Sequence, residues 1–212
     1  MWTQDKQMSL ATVGRFLETV DSRDKLLKGA SALAKLFLYA SGNAAYGQIA
    51  LSASEARRII RLLGWLSSVQ VLSYLLRKDW GNKHDLLAIA RVTGEFVFKL
   101  CDNIAFLGAK AGILTNGAVQ FSYGSRLGLF FAYVFAVALG CLDLQRFKDN
   151  KVARQRHCMV LLQRTCDMLC AASGVRFGGF QMSRVLDASL ALLSASISSV
   201  ANYRDLTARL GG

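Results

Sequence analysis

Sixteen consecutive residues, Leu127 to Leu142 (LGLFFAYVFAVALGCL), carry no charge, and no proline interrupts them or any other part of the chain. As an α-helix rising about 1.5 Å per residue, the run covers about 24 Å. That is short of the roughly 30 Å hydrocarbon core of a bilayer, near the lower limit for a span. Gly124 and Ser125 lengthen it and bring in Arg126, whose long side chain can reach the interface. A helix buried in the core of a soluble protein is the alternative to a span for this run. A second uncharged segment, Ala188 to Ala201, follows Asp187 and holds five serines, which makes it the weaker candidate.

Composition weighs on the choice. Hydrophobic residues make up 53% of the 212 residues and the mean hydropathy is +0.30, above the roughly 45–50% apolar content of ordinary soluble domains. Lys and Arg number 26 against 14 Asp and Glu, a net charge of +12. So basic a chain suits an acidic partner, either nucleic acid or anionic lipid. A nucleic-acid binder has no need of long apolar runs, and neither a helix-turn-helix nor aromatic–basic interleaving is present. Nucleic acid is therefore not expected, and an anionic phospholipid membrane is.

The stretch Ser52–Lys78 (SASEARRIIRLLGWLSSVQVLSYLLRK) has helical period. Ser52 to Glu55 reads as a capping box that starts a helix. At about 100° per residue, Ile59, Leu62, Leu63, Leu66 and Val69 share one side, and Arg57, Arg58, Arg61 and Ser68 the other. A wide apolar face beneath arginines suits a helix lying in a bilayer interface, its guanidinium groups on anionic head groups. An ordinary amphipathic helix packed on a soluble core shows the same pattern. Upstream, a helix is expected from Asp21 to about Tyr39, with Leu26, Ala30, Leu33 and Phe37 as its apolar stripe and Lys25, Lys28 and Lys35 elsewhere. Further helices are expected over about Asp85–Leu114 and around Cys158–Ala172, with loops at Ser41–Asn43, Asp79–Lys83 and Gly174–Gly179. No strand alternation or repeat occurs, so the fold class is all-α. The expected architecture is an integral membrane helical protein with N-terminal amphipathic interfacial helices and one or two C-terminal spans. Residues 1–123 form a basic amphipathic region and 124–212 a membrane-embedded region with a basic connecting segment.

Catalytic and metal chemistry find little support. The five cysteines, Cys101, Cys141, Cys158, Cys166 and Cys170, are odd in number and suit a reducing compartment. With His157 they match no usual zinc spacing, and no cofactor is expected. There are two histidines, His84 and His157, no phosphate-binding glycine loop and no paired carboxylates at helical spacing. Asp102 and Asp187 stand isolated among apolar residues, and Asp102 reads as a hydrogen-bonding packing residue. No enzyme is expected. The first twenty residues, with Asp5 and Glu18, lack the apolar core of a secretory signal. The final Arg209–Gly212 is no peroxisomal matrix signal.

Four motifs in succession carry a resemblance: Phe16-Leu17 with Asp21-x-Arg23-Asp24-Lys25-Leu26-Leu27; Ser54-x-x-Arg57-Arg58-x-x-Arg61-Leu62 with Trp65-Leu66; Leu100-Cys101-Asp102-Asn103 with Leu107-Gly108 and Gly112; and Gln163-Arg164-Thr165-Cys166-Asp167. Their order resembles the peroxin-11 family of peroxisome membrane-elongation proteins over nearly the whole chain. Length and lack of proline are similar to the kinetoplastid glycosomal members. The resemblance implies a peroxisomal or glycosomal membrane protein that elongates the organelle before division, self-associates and recruits dynamin-type fission machinery. Solute passage, linked to some members, is the alternative function. In these terms Lys25, Lys28, Lys35, Arg57, Arg58 and Arg61 bind head groups, while Ile59, Leu62, Leu63 and Leu66 form the wedge with Leu33.

Small residues recur every fourth position, Gly124, Gly128, Ala132, Ala136 and Gly140 on one apolar segment and Ala191, Ala195 and Ser199 on the other. Such stripes let helix backbones approach closely in lipid. They are expected to meet each other, or their copies in a homo-oligomer. Eight Lys and Arg between the two apolar segments (146, 148, 151, 154, 156, 164, 176, 184) put that connection on the side favoured by positive charge, while the family resemblance puts both termini there. The two are incompatible if only two segments cross.

Overall fold

A computed structural model describes residues 10–78, 82–114 and 117–210, with side chains from 13 to 209. The described residues form eight α-helices and one 3-10 turn, with no strand among them. They are α1 (Leu10–Glu18), α2 (Val20–Ser41), α3 (Ala44–Ile60), α4 (Gly64–Leu76), α5 (Lys83–Lys110), α6 (Gly117–Arg146), α7 (Lys151–Val175) and α8 (Arg184–Leu210), with the 3-10 turn at Phe177–Gly179. Short polar side chains set several starts by accepting from free first-turn amides: Thr19 from Ser22 N, Asn43 from Ala45 N, Asn82 from His84 N and Asn150 from Ala153 N. Gly42 closes α2 at φ +68°, and its amide donates to Leu38 O at 2.8 Å.

The Ser52 capping box is not a helix start. Asn43 opens α3 nine residues earlier, so Ser52–Glu55 lies within the helix. There the Ser54 hydroxyl turns back onto Ala50 O at 2.8 Å, and Glu55 pairs with Lys110 at 2.8 Å. Nor is Ser52–Lys78 a single helix. It breaks at Arg61–Leu63, and α3 and α4 bend by 48°. Leu63 takes the left-handed conformation (φ 60°, ψ 4°), a state that costs a branched residue about 1–3 kcal/mol. Contacts on both sides hold it: Arg57 and Arg61 are clamped on carboxylates before the break, and Ser68 accepts from Lys99 after it. The expected loop at Asp79–Lys83 lies partly outside the described residues. A division at 123/124 falls inside α6, which begins at Gly117.

From α2 onward the helices form a closed ring. Each packs antiparallel on the next, α2 on α3, the α3–α4 run on α5, α5 on α6, α6 on α7 and α7 on α8, and α8 returns to α2. Among the described residues, α2 has no helix–helix packing with α5, α6 or α7, and α6 has none with α8. Small side chains set the tightest seams. A Cβ on Gly94 would lie 2.8 Å from Ala132 N, and one on Gly128 2.8 Å from Phe98 N. On the other side of the ring, Gly29 of α2 faces Ala195 of α8. The short α1 caps one end, with Phe16 edge-on to Tyr203 at 5.9 Å between centroids.

Burial in this ring runs opposite to that of a water-soluble bundle. Leu26, Leu33, Phe37, Ile59, Leu63, Leu66, Val69, Val71 and Tyr74 are exposed. Asp24, Asp102 and Asp167 are buried, with Ser22, Ser31, Ser68, Ser194 and Ser198. The α2 stripe and Ile59, Leu63, Leu66 and Val69 therefore point outward, and Asp24, Asp102 and Asp167 point in. Two helices, Gly117–Arg146 and Arg184–Arg209, are long and apolar enough to cross a membrane, and the bent α3–α4 pair qualifies as a third if it is one span.

Since both glycine contacts are with backbone, neither helix can yield by a rotamer change. Gly94→Ala and Gly128→Ala should each destabilise the detergent-solubilised protein by about 1–3 kcal/mol, the range for overpacking. Thermal unfolding should show this, while Gly14→Ala, whose added Cβ meets nothing within 4 Å, should leave the midpoint almost unchanged.

Candidate functional site

The inward-facing charges form one network to which every run of the ring contributes. Asp24 and Lys28 stand one helical turn apart on α2. Arg57 reaches back from α3 and holds Asp24 with two bonds, Nε at 3.1 Å and Nη2 at 3.3 Å. Arg61, at the α3–α4 break, spreads between two carboxylates, Asp24 at 3.7 Å and Asp102 of α5 at 3.4 Å. Arg58 adds a second contact to Asp102 at 3.3 Å. Lys28 extends across the ring to Asp167 of α7 and donates to Ser194 of α8 at 2.8 Å. Tyr133 of α6 lies beside Asp167. Aromatic faces complete the lining, with the Arg61 guanidinium 5.2 Å from the Phe98 ring centroid and that of Arg58 6.0 Å from Phe106.

Taken as pairs, Arg57, Arg61 and Lys28 balance Asp24, Asp102 and Asp167. Breaking such a buried pair leaves an uncompensated charge, so the network holds helices together that do not otherwise touch. Arg61 and Asp102 connect α2 to α5, and Lys28 connects α2 to α7. Arg61 Nε is buried with no hydrogen-bond partner among the described residues, as is Asn103 Nδ2.

The four sequence motifs meet here. Asp24 comes from the first, Arg57, Arg58 and Arg61 from the second, Asp102 from the third and Asp167 from the fourth. Residues up to 139 apart thus supply the two ends of one ion pair across the ring. The sequence model of the Peroxisomal biogenesis factor 11 (PEX11) family matches residues 10–206. The chain belongs to the PEX11 family. No curated protein and no solved structure shows significant similarity to it.

As a PEX11 protein, the chain is a peroxisomal membrane protein with a role in peroxisome biogenesis, and its family is not one of enzymes. No group of three or more His, Cys, Asp or Glu side chains suited to a metal occurs among the described residues. Of the expected head-group cations, Lys28, Arg57 and Arg61 are engaged inside the ring, and Lys25 pairs with Asp21 at 3.5 Å. Arg58, with its side chain 42% exposed, and the half-buried Lys35 remain accessible. Ile59, Leu63 and Leu66 lie on the outside at 56%, 61% and 46% exposure, whereas Leu62 is half-buried.

The two small-residue stripes do not meet each other. Gly124, Gly128 and Ala132 face α5, then the stripe drifts so that Gly140 faces Leu161 of α7, while Ala136 O accepts from Arg164 at 3.1 Å. Ala195 packs on Gly29 of α2, with Ala191 and Ser199 half-buried beside it. An α-helix turns through 3.6 residues, so a stripe repeating every four residues rotates and passes from one neighbour to the next.

Sequence reading missed Asp24, Tyr133, Asp167 and Ser194 as network members. The signal available was an aspartate four residues from a lysine at Asp24–Lys28, and a lone aspartate in each of two apolar surroundings, Asp102 and Asp167. Nothing in the sequence told which basic residue each would meet.

Asp167→Leu should strand the Lys28 ammonium and cost about 3–5 kcal/mol, the usual penalty for breaking a buried pair. Lys28→Met combined with Asp167→Leu should recover most of that loss. Thermal unfolding in detergent and steady-state abundance in the organelle membrane would both report it. Equal loss in single and double variants would show that the pair is not coupled.

Proposed function

We propose that this PEX11 chain elongates the peroxisomal membrane by inserting its ring of helices among lipids and self-associating, so that many copies act on one patch. The observation that carries this reading is the outward apolar face of α2–α4, Leu26, Leu33, Phe37, Ile59, Leu63, Leu66 and Val69, on a chain whose family resides in that membrane. Apolar surface inserted among acyl chains with more volume in one leaflet than the other expands that leaflet and favours curvature. Anionic phospholipid is the partner for the accessible cations Lys35 and Arg58 and for the basic turn Arg146, Lys148, Lys151, Arg154 and Arg156. The small-residue stripes are occupied within the chain, so copies associate through outer faces of the ring. Elongated membrane then serves dynamin-type fission machinery, and glycosomal residence is a specialised form of the same role.

Solute passage is a second reading. It is supported by the closed ring, whose helices all turn polar groups toward the middle. Ser194 and Ser198 are buried on that side, whereas Ser189 and Ser196 face outward.

Vesicles containing anionic lipid, reconstituted with the purified chain, should form tubules visible by electron microscopy. Replacing Ile59, Leu63 and Leu66 together with Gln should strongly reduce tubulation while the Lys28–Asp167 and Arg61–Asp102 pairs stay intact. The same vesicles loaded with a small fluorescent anion test the second reading. Release without tubules would favour passage over remodelling, and tubules from the triple variant equal to those of the natural chain would overturn the remodelling mechanism.

A further inference from the structure

The hydropathy of each helix taken alone marks α6 and α8 as spans and passes over α2, α5 and α7 because of their charges. In the ring Asp24, Lys28, Asp102 and Asp167 face inward and are paired. The middle of these helices thus offers a more apolar surface than their composition, while the exposed Lys151, Arg154 and Arg156 lie at the start of α7. On α2 the outer positions are Leu26, Ala30, Leu33 and Phe37; on α5 they include Leu86, Thr93 and Leu107; on the inner half of α7 they include Leu162. Between Arg61 and Arg77 the α4 run carries no charge at all. This outer belt continues that of α6 and α8, where Phe131, Leu193 and Val200 are exposed. Water does not select an arrangement with carboxylates inside and leucines outside, because charges are well solvated where they are and apolar surface is not. Acyl chains do select it, since a charge in hydrocarbon must pair inside the bundle.

Length agrees. The helices α2 and α5 contain 22 and 28 residues, and α7 keeps about 19 beyond the basic turn that ends at Arg156, against the roughly 17–25 that cross the hydrocarbon core. The distribution of the remaining charges agrees independently. In an antiparallel ring, the start of α2, the α4–α5 turn, the α6–α7 turn and the end of α8 lie at one end. The bridge of His84 to Asp143 at 3.5 Å ties two of these together. That end carries Arg15, Arg23, Arg77, Lys78, Lys83, Arg204 and Arg209, and the whole basic turn from Arg146 to Arg156. At the other end the hairpin of residues 36–54 has no charge, and the other two connections there carry Lys110, Arg176 and Arg184. If only α6 and α8 crossed, the basic turn and the end of α8 would lie on opposite faces of the membrane. If α7 also crosses, they lie on the same face, and the conflict between charge and topology disappears.

We propose that the outer faces of α2, α3–α4, α5 and α7 contact acyl chains through the full thickness of the bilayer. The chain then crosses six times, and its N-terminal half is embedded rather than resting in the interface. This rests on membrane residence, but not on elongation as the function. It makes Arg57, Arg61 and Lys28 interior charges instead of head-group ligands.

Single cysteines at Asn43, Lys148, Gln181 and Arg209, in a full-length chain with its five native cysteines replaced by alanine, would be probed with a membrane-impermeant maleimide on sealed isolated peroxisomes. Six crossings put Lys148→Cys and Arg209→Cys on one face and Asn43→Cys and Gln181→Cys on the other. Two crossings put Lys148→Cys and Gln181→Cys together, opposite Arg209→Cys, and that pattern would overturn the proposal. The unmodified chain supplies a second measurement that depends on no variant. Lipids carrying a diazirine at mid-acyl chain should label peptides from α2 and α4, around Leu33 and Val69, as well as from α6 and α8. Labels confined to α6 and α8 would count against the embedded N-terminal half. Carbonate extraction separates the two readings: release of the whole chain would overturn membrane residence itself, whereas retention with the two-crossing pattern would overturn only the number of crossings.

Discussion

The structure depends on carboxylates that meet cations from distant helices: Asp24 with Arg57 and Arg61, Asp102 with Arg58 and Arg61, and Asp167 with Lys28. Helices in a ring need not touch across its middle, and these long side chains are what connects them there. Breaking a buried ion pair costs about 3–5 kcal/mol, because the remaining charge is left uncompensated. Removing one partner exposes that cost, so the pairs enforce one another. Two arginines bound to Asp24 and two bound to Asp102 fix the bend at Leu63, which would otherwise relax. The bend in turn lets α4 swing onto α5, where Lys99 reaches Ser68 at 3.0 Å.

Small residues complete what the charges begin. Ion pairs tolerate a range of separations, but the contact of Gly94 with Ala132 and Gly128 does not. In lipid there is little hydrophobic gain in bringing two helices together, so close packing supplies the attraction. Serine plays a related part on α8. Ser196 and Ser198 donate to carbonyls four residues back, at 3.0 and 2.8 Å, which satisfies their hydroxyls inside the helix. A serine-rich segment thereby becomes compatible with an apolar setting.

Membership of the PEX11 family and the ring geometry explain each other at the level of residues. Each of the four motifs is loose on its own, because little more than a charge on a particular helical face is required. Together they are linked in the structure, because Asp24 and Asp102 meet arginines of the second motif and Asp167 meets Lys28, one residue beyond the first. The same geometry separates two parts of the chain: the interior network holds the helices in register, and the apolar outside is the face proposed above to meet the membrane.

Much was legible in the sequence alone. Lack of proline and of strand alternation determined an all-helical fold, and the uncharged run determined a helix long enough to matter to a bilayer. Helical period alone placed Leu26, Leu33 and Phe37 on one stripe of α2, and Ile59 and Leu66 on one side of their segment, away from Arg57 and Arg61. What it could not determine was which side faces inward, because periodicity is blind to the solvent. Tertiary structure decided that, by bringing Asp24, Asp102 and Asp167 to the arginines and Lys28 from as far as 139 residues away. It also decided where the helix ends lie. Ser52–Glu55 has the pattern of a cap, yet Asn43 starts the helix because the turn at Gly42 folds α3 back along α2. The small-residue stripes were visible as stripes, but their partners depended on the order of helices around the ring. That order follows the chain, each helix lying beside the next and α8 closing on α2, and no single stripe contains it.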